Sequence, residues 1–300
     1  MLRSDIHFPP KHEPLRDDVH ALGALIGEIL RDQGGEQLFE LVELDRVAAI
    51  RGRRGSREAR AELAACVRDR PPALARDLLR AFAMWFQVVN LAEQVHRIRR
   101  RRDYLLKDNQ RPQPGGVEDA VGALKARGLS QQELLELIGV LSIQPVFAPH
   151  STEASRRMLL RKQQRIAQRL LERLDPSLTP NESRSIWSNI RMELTTAWQT
   201  EELPRERLTV ADEREQILFY LVEILYRVVP AFYEEIAQAL EKVYGARAGT
   251  RLPAILHFGS WAGGDMDGNP DVHAKTIRET LTRHHQVILQ RYVAECQELA

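Results

Sequence analysis

The chain has 300 residues, 43 Lys and Arg against 42 Asp and Glu, and a formal net charge of +1. That balance argues against a general nucleic-acid or membrane-surface binder, whose footprint is a strong basic excess. Two cysteines, Cys66 and Cys296, exclude a disulfide scaffold or an all-cysteine zinc site and lead us to expect a reducing, cytoplasmic setting.

No apolar stretch approaches the roughly 20 residues of a membrane span, and the N-terminus has no apolar run of a secretory signal. Helical periodicity dominates instead. Leu15, Val19, Leu22, Leu25, Ile26, Ile29 and Leu30 recur at three- and four-residue spacing and predict an amphipathic helix. A second helix is expected over Gln37 to Arg51 and a third over Arg57 to Arg68. Pro71-Pro72 breaks the chain and opens a long helix with the stripe Leu74, Leu78, Phe82, Trp85, Val89, Ala92 and Val95. The run Arg97-Ile98-Arg99-Arg100-Arg101-Arg102 lies on that helix. Consecutive arginines on a helix point in nearly all directions, and Glu93 and Asp103 are close. A solvated or salt-bridged face is therefore a better reading than a phosphate or RNA site. The two prolines and two glycines of Arg111 to Gly116 make a loop. Ser130 and Glu133 form a capping box that starts a short helix bearing Leu134, Leu137 and Ile138.

The texture then changes. Ile143 to Phe147 is short, apolar and interrupted by Pro145, which predicts a strand. A helix resumes from Thr152, with Leu159, Ile166, Leu170 and Leu174 on one face. Thr179 to Glu182 is a second capping box, opening a helix through Ile186, Ile190, Leu194 and Trp198. Thr209 to Asp212 caps a long apolar helix that Pro230 should kink or split. Leu256 to Trp261 reads as a second short strand, followed by a glycine-rich turn and a helix from about Val272. Strand-then-helix order predicts parallel pairing. Two strands alone leave unsatisfied edges, and helical phase persists to Ala300 without a stop signal. We therefore expect the opening of a sheet or barrel whose remaining strands are missing from this chain.

Two constellations have chemical potential. The first is the loop after the first strand, Pro149-His150-Ser151-Thr152-Glu153, with Arg156 and Arg157 behind it. A histidine at the C-terminal end of a parallel strand can serve as acid or base near neutral pH. The helix start and the two arginines would suit an anion. On spacing alone, a loop histidine beside a capped helix remains the better reading. The second is the turn Trp261-Ala262-Gly263-Gly264-Asp265-Met266-Asp267-Gly268-Asn269-Pro270, whose glycines allow close backbone approach to a ligand. Counted from Asp265, a calcium loop would need glycine where Pro270 stands and glutamate where Thr276 stands, so an EF-hand is excluded. A tight turn capped by Asp267 and Asn269 accounts for the motif equally well. His284 and His285 are adjacent, face different directions and make a poor metal pair.

Taken together, Pro14 to Val19 with Leu22-Gly23, Asn90 to Arg97, Thr195 to Glu201, and the run Ser260-Trp261-x-Gly263-Gly264-Asp265-x-Asp267-Gly268-Asn269-Pro270 resemble the phosphoenolpyruvate carboxylase family. The resemblance covers essentially the whole chain. It implies a mostly α-helical enzyme with a helical N-terminal region (1–140) and the start of a β/α, TIM-type barrel with inserted long helices (141–300), here truncated. It further implies a cytoplasmic homotetramer that carboxylates phosphoenolpyruvate with bicarbonate, giving oxaloacetate and phosphate, with Mg²⁺ or Mn²⁺. His150 aligns with the family's active-site histidine, which deprotonates carboxyphosphate. Trp261 aligns with the tryptophan of the apolar pocket, and Gly263, Gly264, Asp265 and Asp267 stand as substrate-binding candidates. Arg156 and Arg157 are anion-binding candidates. Family members run to roughly three times this length and carry their metal ligands beyond Ala300, so we expect no metal site and no activity in this chain alone. The family's Thr-Ala-His-Pro-Thr-Glu motif reads Ala148-Pro149-His150-Ser151-Thr152-Glu153 here, three positions of six differing. That departure favours an alternative, a non-catalytic scaffold or regulatory remnant of the enzyme. The retained turn with both aspartates and Trp261 favours the enzyme.

Overall fold

The computed structural model describes residues 9–106, 112–148, 157–200, 209–245, 252–267 and 269–299. The chain is mostly helical. Its helices are α1 (Glu13–Arg53), α2 (Arg57–Arg68), α3 (Pro72–Leu106), α4 (Val117–Ala126), α5 (Gln131–Val140), α6 (Arg157–Glu172), α7 (Pro180–Trp198), α8 (Val210–Phe219), α9 (Tyr226–Tyr244) and α10 (Ala274–Leu299). Among the described residues the strands are β1 (Val146–Phe147) and β2 (Gly259–Ser260).

Local chemistry explains most boundaries. Ser56 accepts from the Ala59 amide and starts α2. Ser130 with Glu133, Thr179 with Glu182 and Thr209 with Asp212 close reciprocal capping boxes at α5, α7 and α8. The two helices expected before Arg51 run on as α1, but Gly35 sits at φ 81° and ψ 166°. That conformation breaks the helical ladder between the two segments and is readily open only to glycine. Of the two outcomes expected at Pro230, a kink or a split, the split does not occur. Pro230 lies inside α9, and the departure from α-helical pairing comes upstream, as a π-helical stretch over Tyr220–Leu225 between α8 and α9. A widened turn there loosens the i→i−4 ladder just before a residue that lacks its own N–H.

The helical run Val210–Tyr244 holds a window of mean hydropathy 1.3, apolar enough by length and composition to cross a membrane. This corrects the expectation that no stretch would reach that threshold. Glu223, Arg227 and Pro230 interrupt the run; within the apolar window only Ile217 and Leu218 are buried, while Ile236, Ala239 and Leu240 further along α9 join a buried cluster.

The described residues gather into two units that alternate along the chain. One holds the described parts of 1–103 and 157–202, the other those of 104–156 and 203–300. In the first, Leu22, Ile29, Leu30, Val88, Val95, Ile166, Leu170 and Ile190 from α1, α3, α6 and α7 form the core. Buried carboxylates are paired there. Asp18 accepts from Arg99 at 2.6 Å and Arg173 at 3.0 Å, Asp45 from Arg70, and Glu193 from Arg165 at 2.6 Å. Arg100 also bonds Asp103 at 3.1 Å, so Arg99 and Arg100 of the arginine run serve salt bridges, as its sequence context indicated.

In the second unit, Val121, Leu134, Ile138, Ile236, Leu240 and Ile255 pack α4, α5 and α9 beneath the strands. β1 and β2 pair in parallel, as predicted, with Val146 opposite Gly259 and Phe147 opposite Ser260. A further parallel bridge joins Ile143 and Leu256.

Candidate functional site

The site is built on the C-terminal end of this two-stranded ladder. Its rungs run Ile143 N–H to Ile255 O (2.7 Å), His257 N–H to Ile143 O (3.0 Å), Gly259 N–H to Pro145 O (3.0 Å) and Trp261 N–H to Phe147 O (2.9 Å). The Tyr233 hydroxyl of α9 accepts from the Ile255 and Leu256 amides at 2.6 and 3.3 Å, fixing where the second strand starts. The last rung ties Trp261 to the residue just before Ala148. The polypeptide leaving β1 toward His150 and the turn leaving β2 therefore emerge from the same end of the sheet. This is the end at which parallel α/β units present reactive groups.

The turn itself is tightly specified. The Trp261 side chain is 55% exposed, while Ala262 beside it is buried. Gly264 and Asp265 both donate their amides to the Trp261 carbonyl at 3.0 Å. The Asp265 carboxylate accepts from the Asp267 amide at 3.1 Å, and the Asn269 side chain from the Asp271 amide at 3.1 Å. Asn269 thus caps as the simple turn reading proposed, and Asp265 takes the capping place that reading gave to Asp267. Both aspartates stay exposed. Gly263 lies at φ 72°, and a Cβ there would stand 2.2 Å from Thr280 Oγ1 on α10. Two independent constraints, dihedral and space, thus demand glycine. α10 is braced in turn. Arg283 makes a two-pronged bond to Glu215 of α8 at 2.8 and 3.0 Å, and its guanidinium holds the Glu215 carboxyl below the usual glutamate range.

The structure thus brings Trp261, Gly263, Gly264, Asp265 and Asp267 together in one turn. His150 and Arg156 lie outside the described residues, as does Gly268. Arg157 opens α6, and its side chain also lies outside them. Among the described residues no three His, Cys, Asp or Glu side chains converge to hold a metal ion. The sequence reading passed over Thr280, Tyr233 and the Arg283–Glu215 pair. Their partners are 17, 22 and 68 residues away, beyond any local pattern.

A family model described as phosphoenolpyruvate carboxylase matches residues 15–300. The chain belongs to the phosphoenolpyruvate carboxylase family. A protein of that name from Xanthomonas campestris pv. campestris is 46% identical over 298 residues, covering 99% of this chain and 33% of the relative. Others are 38% identical in Ralstonia nicotianae, covering 99% of this chain and 30% of the relative, and 35% identical in Rhodothermus marinus, covering 95% and 31%. The chain therefore spans about a third of the length of the curated phosphoenolpyruvate carboxylases it matches. Of the candidate site residues, those in the turn after β2 are the ones whose geometry the described residues display.

Proposed function

We propose that this chain supplies the first two strand-end loops of a phosphoenolpyruvate carboxylase active site, within a protein that converts phosphoenolpyruvate and bicarbonate to oxaloacetate and phosphate. The observation that carries the reading is the Trp261 N–H to Phe147 O rung. It ties Trp261 to the last residue of β1, so the chain leaving β1 at Ala148 and the turn leaving β2 depart from the same end of the strand pair, in a chain of this family. β1 and β2 are then the first strands of a β/α barrel spanning 141–300 and continuing in the longer protein, with 1–140 as its helical N-terminal region. The protein is cytoplasmic and homotetrameric on this reading.

In the proposed chemistry, a bicarbonate oxygen attacks the phosphorus of phosphoenolpyruvate, and the bond to the enol oxygen breaks. Carboxyphosphate and the enolate of pyruvate result. His150 takes the carboxyphosphate proton, so CO₂ and phosphate separate, and the enolate carbon attacks CO₂. The exposed Trp261 indole offers an apolar wall for the substrate methylene, which keeps water from the enolate. Arg156 and Arg157, which follow His150 in the sequence, are the candidates to attract the phosphate. Mg²⁺ or Mn²⁺ in such an enzyme neutralises charge on the phosphate and enolate oxygens. The described residues do not fit a metal, because no acidic cluster converges among them. We place its ligands in the part of the family's length that this chain does not span.

The test compares oxaloacetate formation by the 300-residue chain and by a full-length protein carrying it, followed by coupled reduction with malate dehydrogenase. Activity is expected only in the long form. An inactive long form that binds no phosphoenolpyruvate would instead support the alternative, a scaffold or regulatory remnant, which the altered residues around His150 favour.

A further inference from the structure

Thr280 is 5% exposed, and its hydroxyl has no hydrogen-bond partner among the described residues. A buried hydroxyl without a partner is costly and calls for an explanation. Here the oxygen lies 2.2 Å from the ideal position of a Gly263 Cβ, close enough to exclude one, with the threonine's own Cβ and Cγ2 at 3.1 and 3.2 Å. It therefore rests on the Cα–H face of Gly263, the arrangement of a weak Cα–H···O contact. The other bonds noted within the turn are local. Gly264 and Asp265 close back on Trp261, and Asp267 on Asp265. Such bonds shape the turn without saying where it stands relative to α10. The contact with Thr280 does, and α10 is itself pinned to α8 by Arg283 and Glu215.

We infer that Thr280 is a positioning residue for the Trp261 turn: its buried hydroxyl, seated on the Gly263 Cα, sets the stance of the Trp261 indole and of the Asp265 and Asp267 carboxylates. The consequence for a three-carbon phosphorylated substrate rests on the function proposed above, but the positioning itself does not. It can be read without substrate.

The chain labelled with 5-fluorotryptophan gives four ¹⁹F signals, that of Trp261 assigned by W261F. Trp85, Trp187 and Trp198 belong to the other unit and act as fold controls. G263A is expected to shift or broaden the Trp261 signal alone, and the double variant G263A/T280A to return it toward its original position, because the space taken by the new methyl has been vacated. T280S, which keeps the hydroxyl, should leave the signal in place. Should G263A unfold the chain, T280V provides the test without adding atoms. A methyl cannot accept the Cα–H contact and is larger than the oxygen, so the Trp261 signal must move while the other three hold. An unmoved Trp261 signal in T280V or G263A, or a double variant no nearer the parent than G263A, overturns the inference. Failure of the long protein to make oxaloacetate would overturn the function and leave this result standing.

Discussion

Asp18 offers the most demanding test of what holds the first unit together. The residue is 5% exposed and its carboxylate carries two guanidiniums, Arg99 on one oxygen at 2.6 Å and Arg173 on the other at 3.0 Å. D18N keeps the shape, removes the charge and turns an N–H₂ donor toward one of two donors. Two largely buried cations then face no anion on that side. Removing one partner of a buried ion pair costs about 3–5 kcal/mol, far above the value of a surface pair. For a unit of about 150 residues each kcal/mol lowers Tm by about 2–4 °C, so a fall of roughly 6–20 °C is expected. Tryptophan fluorescence reports it selectively, because Trp85, Trp187 and Trp198 lie in this unit and Arg173 stacks 4.3 Å from the Trp187 ring. Replacing a cation as well, in D18N/R99M, should recover part of the loss, since the penalty lies in the uncompensated charge. A D18N protein melting within 2 °C of the parent would show that water or side-chain rearrangement satisfies both arginines, and the account of this buried pair would be wrong.

Burial, then the charges of Arg99, His12 and Arg100, hold the His96 imidazole below the ordinary histidine value, with Asp18 opposing them. The unfolded chain therefore takes up a proton as pH falls through about 6.5 while the folded unit does not, so stability should decline with acidification through that window. H96Q should flatten that slope in urea titrations between pH 7.5 and 5.5; an unchanged slope would refute the assignment. In a full-length protein carrying this chain, H150N should lower kcat by about 10²–10⁴-fold, the usual contribution of a positioned acid or base. A smaller loss in steady-state assays would remove His150 from the proton transfer. W261A should raise KM for phosphoenolpyruvate, checked by the same assay, and an unaltered KM would take the indole out of the substrate pocket.

Much of this architecture was legible because its signals are local. The capping boxes at Ser130, Thr179 and Thr209 each place donor and acceptor three residues apart, and all three close as read. The parallel pairing of β1 and β2 followed from strand-then-helix order. α4 was passed over, although Val117, Val121 and Leu124 show helical spacing directly behind the Pro-Gly-Gly loop. The π-helical stretch escaped for a different reason: Pro230 announces a disturbed ladder but not which turn will absorb it. The partners of Asp18 lie 81 and 155 residues away, and no periodicity couples such positions. At the site, the glycines of the turn were visible, whereas the reason for Gly263 lies in a threonine on the following helix.

The alternation of the two units also has a consequence in time. α1 and α3 are made early, yet their apolar faces meet α6 and α7, which come only after an excursion of more than fifty residues into the other unit. At about 5–20 residues per second of synthesis, the chain from Asp103 to the end of α7 takes roughly 5–20 s to appear. Throughout that interval Leu22, Ile29, Val88 and Val95 have no α6 or α7 to cover them. A nascent chain stalled before α7 should therefore be a chaperone client, and one released after Trp198 should not need that help for its first unit.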